Sequence, residues 1–165
     1  VPESASGQWP PGTWLGFDFG LRRIGVAVGQ TTTGTANPLD VVRHGQREPD
    51  WVHLDRLVEE WGPAGLVVGL PLDADGKPTT MSGRARAFGR RLKTRTGLPV
   101  AWFDERLSSR AAADRFARER AAGGVRRRDA ARLDAMAAAV ILENWLQSRS
   151  HERLDEPPRE SPGDS

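Results

Sequence analysis

Asp18 closes the run Leu-Gly-Phe-Asp-Phe-Gly, at the end of an otherwise apolar strand. A carboxylate there is costly to bury unless it is paired or binds a metal ion. The plainer reading is that it caps the turn at Gly20 through the backbone. A second acidic point is Asp104-Glu105-Arg106, which ends Val-Ala-Trp-Phe-Asp-Glu-Arg. Neighbouring strand residues point to opposite faces, so only one of these two acids faces a given site. The bland alternative is pairing with Arg106, or an acid favouring the N-terminus of a following helix. Asp134 lies one turn into an Ala-rich helix, with Ala138, Ile141 and Trp145 following at helical spacing. An acid on such an apolar stripe is harder to explain structurally, where Ala or Leu would serve.

Three acids from distant segments are expected to converge at one edge of a sheet. Hard oxygen donors in a chain without cysteine suit Mg²⁺ or Mn²⁺. One or two such ions bind phosphate oxygens, activate a water and stabilise the leaving oxygen. A phosphodiester needs that help because its own charge repels the nucleophile. Other chemistries have little support. His44, His53 and His151 show no metal-ligand spacing and read as surface or satisfied structural groups. The Gly-rich runs at 16–20 and 25–29 lack the Gly-Lys-Ser/Thr of a phosphate loop, and no Ser/His/Asp arrangement stands out. Trp51, Trp61 and Trp145 read as core.

Charge strengthens the phosphate reading. The net charge is only +2, yet residues 76–133 hold sixteen basic and five acidic residues, a net of +11. Such a block points to a polyanionic partner, most often nucleic acid. The competing reading is a solvated helical surface in an arginine-rich chain. The absence of cysteine excludes disulfides, thiolate zinc sites and thiol nucleophiles, and fits a cytoplasmic protein. No apolar run reaches the ~20 residues of a membrane span. Residues 1–12 lack the basic and apolar regions of a signal peptide.

The elements that must position these acids follow from periodicity. Thr13–Asp18, Arg23–Gln30 and Thr35–His44 read as strands joined by tight turns, hence antiparallel. A helix follows, capped by Asp50, striped by Leu54, Leu57, Val58 and Trp61, and stopped by Gly62-Pro63. Leu66–Leu70 is a continuous apolar strand of the kind covered on both faces. Residues 79–96 form a helix, Val100–Asp104 a fifth strand, and a helix capped by Ser108 or Ser109 runs to Gly123-Gly124. Asp129 caps the last helix. Right-handed crossovers make the two later strands parallel. The fold class is therefore α/β, a mixed five-stranded sheet with helices on its faces, the RNase H-like arrangement. Residues 13–147 form the domain, flanked by a disordered segment 1–12 and a disordered acidic tail 148–165.

Four segments in order resemble the YqgF (RuvX) family: LGFDFGLRRIGVAVG at 15–29, VVGLPLDADG at 67–76, FDERLSSRAA at 103–112 and LDAMAAAVILENWL at 133–146. The match spans nearly all of 13–147. The family is RNase H-like and is described as a Holliday junction resolvase and as a pre-16S rRNA processing nuclease. The resemblance implies that its acids fall on Asp18, Glu105 and Asp134. It also implies basic contacts at Arg84 and Arg132. Ala130 stands where the family often has a lysine, a loss that Arg126, Arg127 and Arg128 are placed to replace. In the related resolvase RuvC an acid follows the fourth strand. Asp73 and Asp75 occupy that place and rank with Asp104 as second-choice ligands, against the plain-turn reading of Asp73-Ala-Asp-Gly.

The resemblance thus implies a metal-dependent endonuclease. Asp18 and Asp134 hold the cation, Glu105 completes the site and orients the water, and Arg106, Arg110, Arg126, Arg127, Arg128 and Arg132 bind phosphates. Structured RNA and branched DNA are both candidate substrates. Symmetric junction cutting needs a homodimer, and trimming an rRNA end needs only a monomer. A non-catalytic nucleic-acid-binding module in ribosome maturation or transcription would need only the basic block. Sugar kinases and actin-like ATPases share the Asp-x-Gly turn but need two domains, which about 135 residues do not supply.

Overall fold

The computed structural model describes residues 9–108 and 130–148, with residues 114, 117 and 118. Its strands are β1 (Thr13–Asp18), β2 (Arg23–Gln30), β3 (Thr35–Arg43), β4 (Gly65–Leu70) and β5 (Val100–Asp104). Three helices alternate with or follow them: α1 (Trp51–Trp61), α2 (Thr80–Thr96) and α3 (Ala130–Ser148). The sheet order is β3-β2-β1-β4-β5. β1, β2 and β3 pair antiparallel, while β4 runs parallel to both β1 and β5. This is the mixed sheet expected from the turn and crossover lengths. The helix expected between Ser108 or Ser109 and Gly124, and its caps, lie for the most part outside the described residues, as does Asp129.

Local chemistry explains the helix ends. The Asp50 side chain accepts from His53 N–H at 3.1 Å and starts α1; Gly62, at φ 51°, ends it. Thr79 caps α2, with reciprocal Thr79–Ser82 bonds of 3.0 and 2.7 Å. The helix therefore begins at Thr80, one residue after the expected start.

Side-chain alternation divides the core into two layers. Leu15, Phe17, Val68 and Trp102 face α1 and α2 with Leu54, Phe88 and Leu92. Trp14, Val67, Ala101 and Phe103 face α3 with Ala138, Ile141, Leu142 and Trp145. β4 is buried along its whole length, as its apolar run requires. Trp145 is fully buried and Trp51 is half-buried, but Trp61, the last residue of α1, is 39% exposed. It precedes the Gly62 cap and belongs to neither core layer. Trp9, inside the segment assigned to the N-terminal tail, is buried edge-on against Trp14 and Trp145. No helix among the described residues is long and apolar enough to cross a membrane.

Candidate active site

Alternation places the key acids. Trp14 and Gly16 of β1 lie on the α3 face, so Asp18 ends β1 on that same face. Along β5, Ala101 and Phe103 lie on the α3 face while Trp102 lies on the other. Glu105 therefore returns to the α3 face, and Asp104 points away. The Glu105 carboxylate lies over Gly69 of β4, where an added Cβ would stand 2.8 Å from Oε2. Asp134 comes from the first turns of α3. Its backbone rests on Gly25 of β2, where an added Cβ would stand 1.9 Å from the Asp134 carbonyl oxygen. Gly25 is the register partner of Asp18. Two glycines thus let a helix and a carboxylate settle on the sheet beside the end of β1.

Burial and neighbouring carboxylates both act on these acids. Burial, and then the charge of Asp134, push the Asp18 carboxyl up to about 6. Burial, then Asp18 and Asp104, push Glu105 up to about 7. Asp18 is therefore the acid the other two share: Asp134 raises it, and it in turn raises Glu105. Asp134 is turned to Arg23, whose Nε donates to Oδ2 at 2.6 Å. As they stand, no group of three or more His, Asp or Glu side chains among the described residues makes a ready metal-holding arrangement. Asp18 and Glu105 nevertheless suit a hard divalent cation. They are partly buried oxygen donors with no cationic partner among the described residues, and a cation would relieve their repulsion. Asp134, the third acid, is held by Arg23 as it stands.

The second-choice acids gather elsewhere. Asp104 accepts from Arg106 Nη2 at 2.6 Å and Nε at 3.1 Å, and this holds its carboxyl below the usual range. Asp73 folds back on its own loop, accepting from the Asp75 and Lys77 N–H groups at 2.8 and 2.9 Å, the signature of an Asx turn. The charges of Asp73 and Asp75 act on Arg106, which also reaches the Ala74 carbonyl. Arg132 is exposed on α3 two residues before Asp134. Arg84 is exposed on α2 and lines a cleft on the opposite face of the sheet. Arg110, Arg126, Arg127 and Arg128 lie outside the described residues. Reasoning from sequence missed Arg23, whose partner is 111 residues away. It also missed Gly25 and Gly69, although glycine inside a strand is itself a signal of close approach.

His53 and His44 are satisfied groups: His53 Nε2 bonds Asp40 at 2.8 Å, and His44 Nδ1 bonds the Gly20 carbonyl at 3.0 Å. His151 lies outside the described residues.

A family model described as "RuvX: Holliday junction resolvase" matches residues 12–148. A protein of Xanthomonas euvesicatoria pv. vesicatoria named "Putative pre-16S rRNA nuclease" is 58% identical over 146 residues, 88% of this chain and 94% of that one. One of the same name from Xanthomonas campestris pv. campestris is 57% identical over 148 residues, 90% and 95% of the two chains. Among solved structures, T. thermophilus RuvC in complex with Holliday junction substrate aligns at a TM-score of 0.54 and 18% identity. That alignment covers 86% of this chain and 99% of that one, a likeness of fold that places the sheet among RNase H-like proteins. With its four motifs in order and a match over most of its length, this chain belongs to the RuvX family.

Proposed function

We propose that this chain is a metal-dependent endonuclease that hydrolyses phosphodiester bonds of structured nucleic acid, and that its substrate is the 5′ end of pre-16S rRNA. The observation that carries the reading is the acidic group Asp18, Glu105 and Asp134. Asp18 is pushed up to about 6 by burial and by a neighbouring carboxylate. A fold has little structural reason to gather such repelling groups at one end of a sheet. The names of the 57–58% identical relatives support the rRNA substrate.

In this mechanism Asp18, Glu105 and Asp134 would hold Mg²⁺ or Mn²⁺. When bound, the cation supplies charge neutralisation at the phosphate and a water of lowered pKa. Glu105 would complete the site and orient the attacking water. Hydrolysis joins the water oxygen to phosphorus and breaks the bond to the leaving sugar oxygen, which takes up a proton. Arg23, freed from Asp134, and Arg132 on the same helix bind flanking phosphates. Arg110, Arg126, Arg127 and Arg128 extend that contact, and Arg106 contributes once it leaves Asp104. The protein works in the cytoplasm, and a monomer suffices for end trimming.

A second reading is resolution of a four-way DNA junction, which the family description favours. It requires a homodimer, because symmetric cutting needs two active sites. The test is to incubate the pure protein with a labelled rRNA precursor and a labelled junction in parallel, with Mg²⁺, Mn²⁺ or EDTA. Cation-dependent cutting of the precursor is expected. Cutting of the junction alone would favour the second reading, and no cutting of either with either metal would overturn the nuclease assignment.

A further inference from the structure

On the face of the sheet away from the acids, a cleft of about 430 Å³ opens between the β1–β2 turn, the loop after β3 and α2. Its floor is Phe88, only 3% exposed. Phe19 lies 5.2 Å from both Phe88 and His44, and Trp51 stacks on Phe88 at 5.7 Å and 27°. Among the described residues Arg47, Arg84 and Arg91 also line it, and no carboxylate does. Arg91 is tied to Glu48 by bonds of 2.8 and 2.9 Å, and Arg91 and Arg95 both lie over the Trp51 ring, 4.7 Å from its centroid. Arg47 and Arg84 are exposed, and neither forms an ion pair with a carboxylate among the described residues.

We propose that this cleft is a subsite for one unpaired nucleotide of the nucleic-acid substrate, whose base enters the aromatic walls while Arg47 and Arg84 hold its phosphates. The inference rests on the endonuclease reading and adds to it a preference for substrates with a single-stranded segment. Flat aromatic walls take the π face of any base, and cations at the mouth take the backbone. An acidic peptide would use the arginines but would leave the aromatic walls unfilled. Position supports the assignment too. Phe19 is the residue after Asp18, and the His44–Gly20 hydrogen bond ties the cleft wall to the turn that follows the acid. A strand crossing this end of the sheet thus meets the carboxylates on one face and the cleft on the other.

The test is made in EDTA, so that binding is read without cleavage. Probes are a blunt RNA hairpin and the same hairpin with a short 3′ tail carrying 5-iodouridine, each also made as DNA with 5-iododeoxyuridine. The full chain is expected to bind the tailed probe about tenfold more tightly than the blunt one. Irradiation is expected to crosslink the tail to Phe19, His44 or Trp51, as mapped by mass spectrometry. The RNA and DNA arms show which source of nucleotide the cleft prefers, and a tail preference in either supports it. Arg84→Glu, at an exposed position, is expected to erase most of the preference, and Trp51→Leu to do the same if it folds. Crosslinks at these residues support the subsite whether or not the chain cleaves. Crosslinks elsewhere overturn it even in a chain that cleaves. Equal affinity for tailed and blunt probes, or displacement of the tail by poly-glutamate, would also overturn it.

Discussion

Replacing Asp18 by Asn should stabilise the cation-free protein, and only above acid pH. The Asp18 carboxyl stands at about 6 against an ordinary 3.8, because burial and Asp134 disfavour its charge. Unfolding releases that penalty. Below about pH 4 both states are protonated and the group costs nothing. As pH rises towards 6 the unfolded chain ionises first, and the folded state loses stability relative to it. At 1.36 kcal/mol per pKa unit, the full penalty above pH 7 is up to about 3 kcal/mol, and near pH 5 it is about 1.5 kcal/mol. Removing the charge also relieves Glu105, for which Asp18 is the second cause of its upward displacement. Urea unfolding in EDTA, followed by circular dichroism at pH 5 and pH 8, reads the difference. Asp18→Asn should be more stable at both, with an advantage that grows by about 1.5 kcal/mol between them. Adding Mn²⁺ should reverse the order at pH 8, because a cation bound to the folded parent stabilises it by mass action. An advantage that does not change with pH, or a variant less stable at pH 8 in EDTA, would refute the reasoning.

Three further outcomes follow from the same geometry. Gly25→Ala places a methyl group 1.9 Å from the Asp134 carbonyl oxygen, so α3 must shift; a loss of about 3 kcal/mol or more is expected in urea unfolding, and a change under about 0.5 kcal/mol would contradict the close approach. Arg23→Ala breaks a half-exposed ion pair and should cost under about 1 kcal/mol, while freeing Asp134 and tightening Mn²⁺ binding severalfold by calorimetry; weaker binding would mean that Arg23 helps to build the site. Affinity for duplex nucleic acid should fall with a log–log salt slope of about −3 or steeper if several arginines neutralise phosphates, and flat binding would remove the basic block from the contact surface.

The elements were largely legible because the local chemistry was strong. Asp50 and Gly62 mark the ends of α1 by side-chain and backbone preferences that act over four residues, whereas Thr79, read as the first residue of α2, caps it instead. The alternation in Arg23–Gln30 shows which side of β2 is apolar without any tertiary knowledge. Ambiguity remained where the answer depends on which layer covers which face. Whether Asp104 or Glu105 meets Asp18 is decided by α3 lying over Ala101 and Phe103, and the strand alone carries no record of that. The Arg23–Asp134 pair is invisible for a like reason, since it joins residues brought together only by α3 packing on β2. Trp61 misleads because helical spacing fixes the direction of a side chain but not whether anything covers the helix's last residue. Trp9 lies in a polar, Pro-rich stretch whose average composition hides a single ring with a place to dock.

Cleavage by Asp18→Asn tests the central claim most directly. With Mg²⁺ and a labelled rRNA precursor or junction, the parent should cut, and the variant should lose cleavage while its affinity for the same probe stays near the parent's. A variant that cuts as fast as the parent would contradict the carboxylate mechanism.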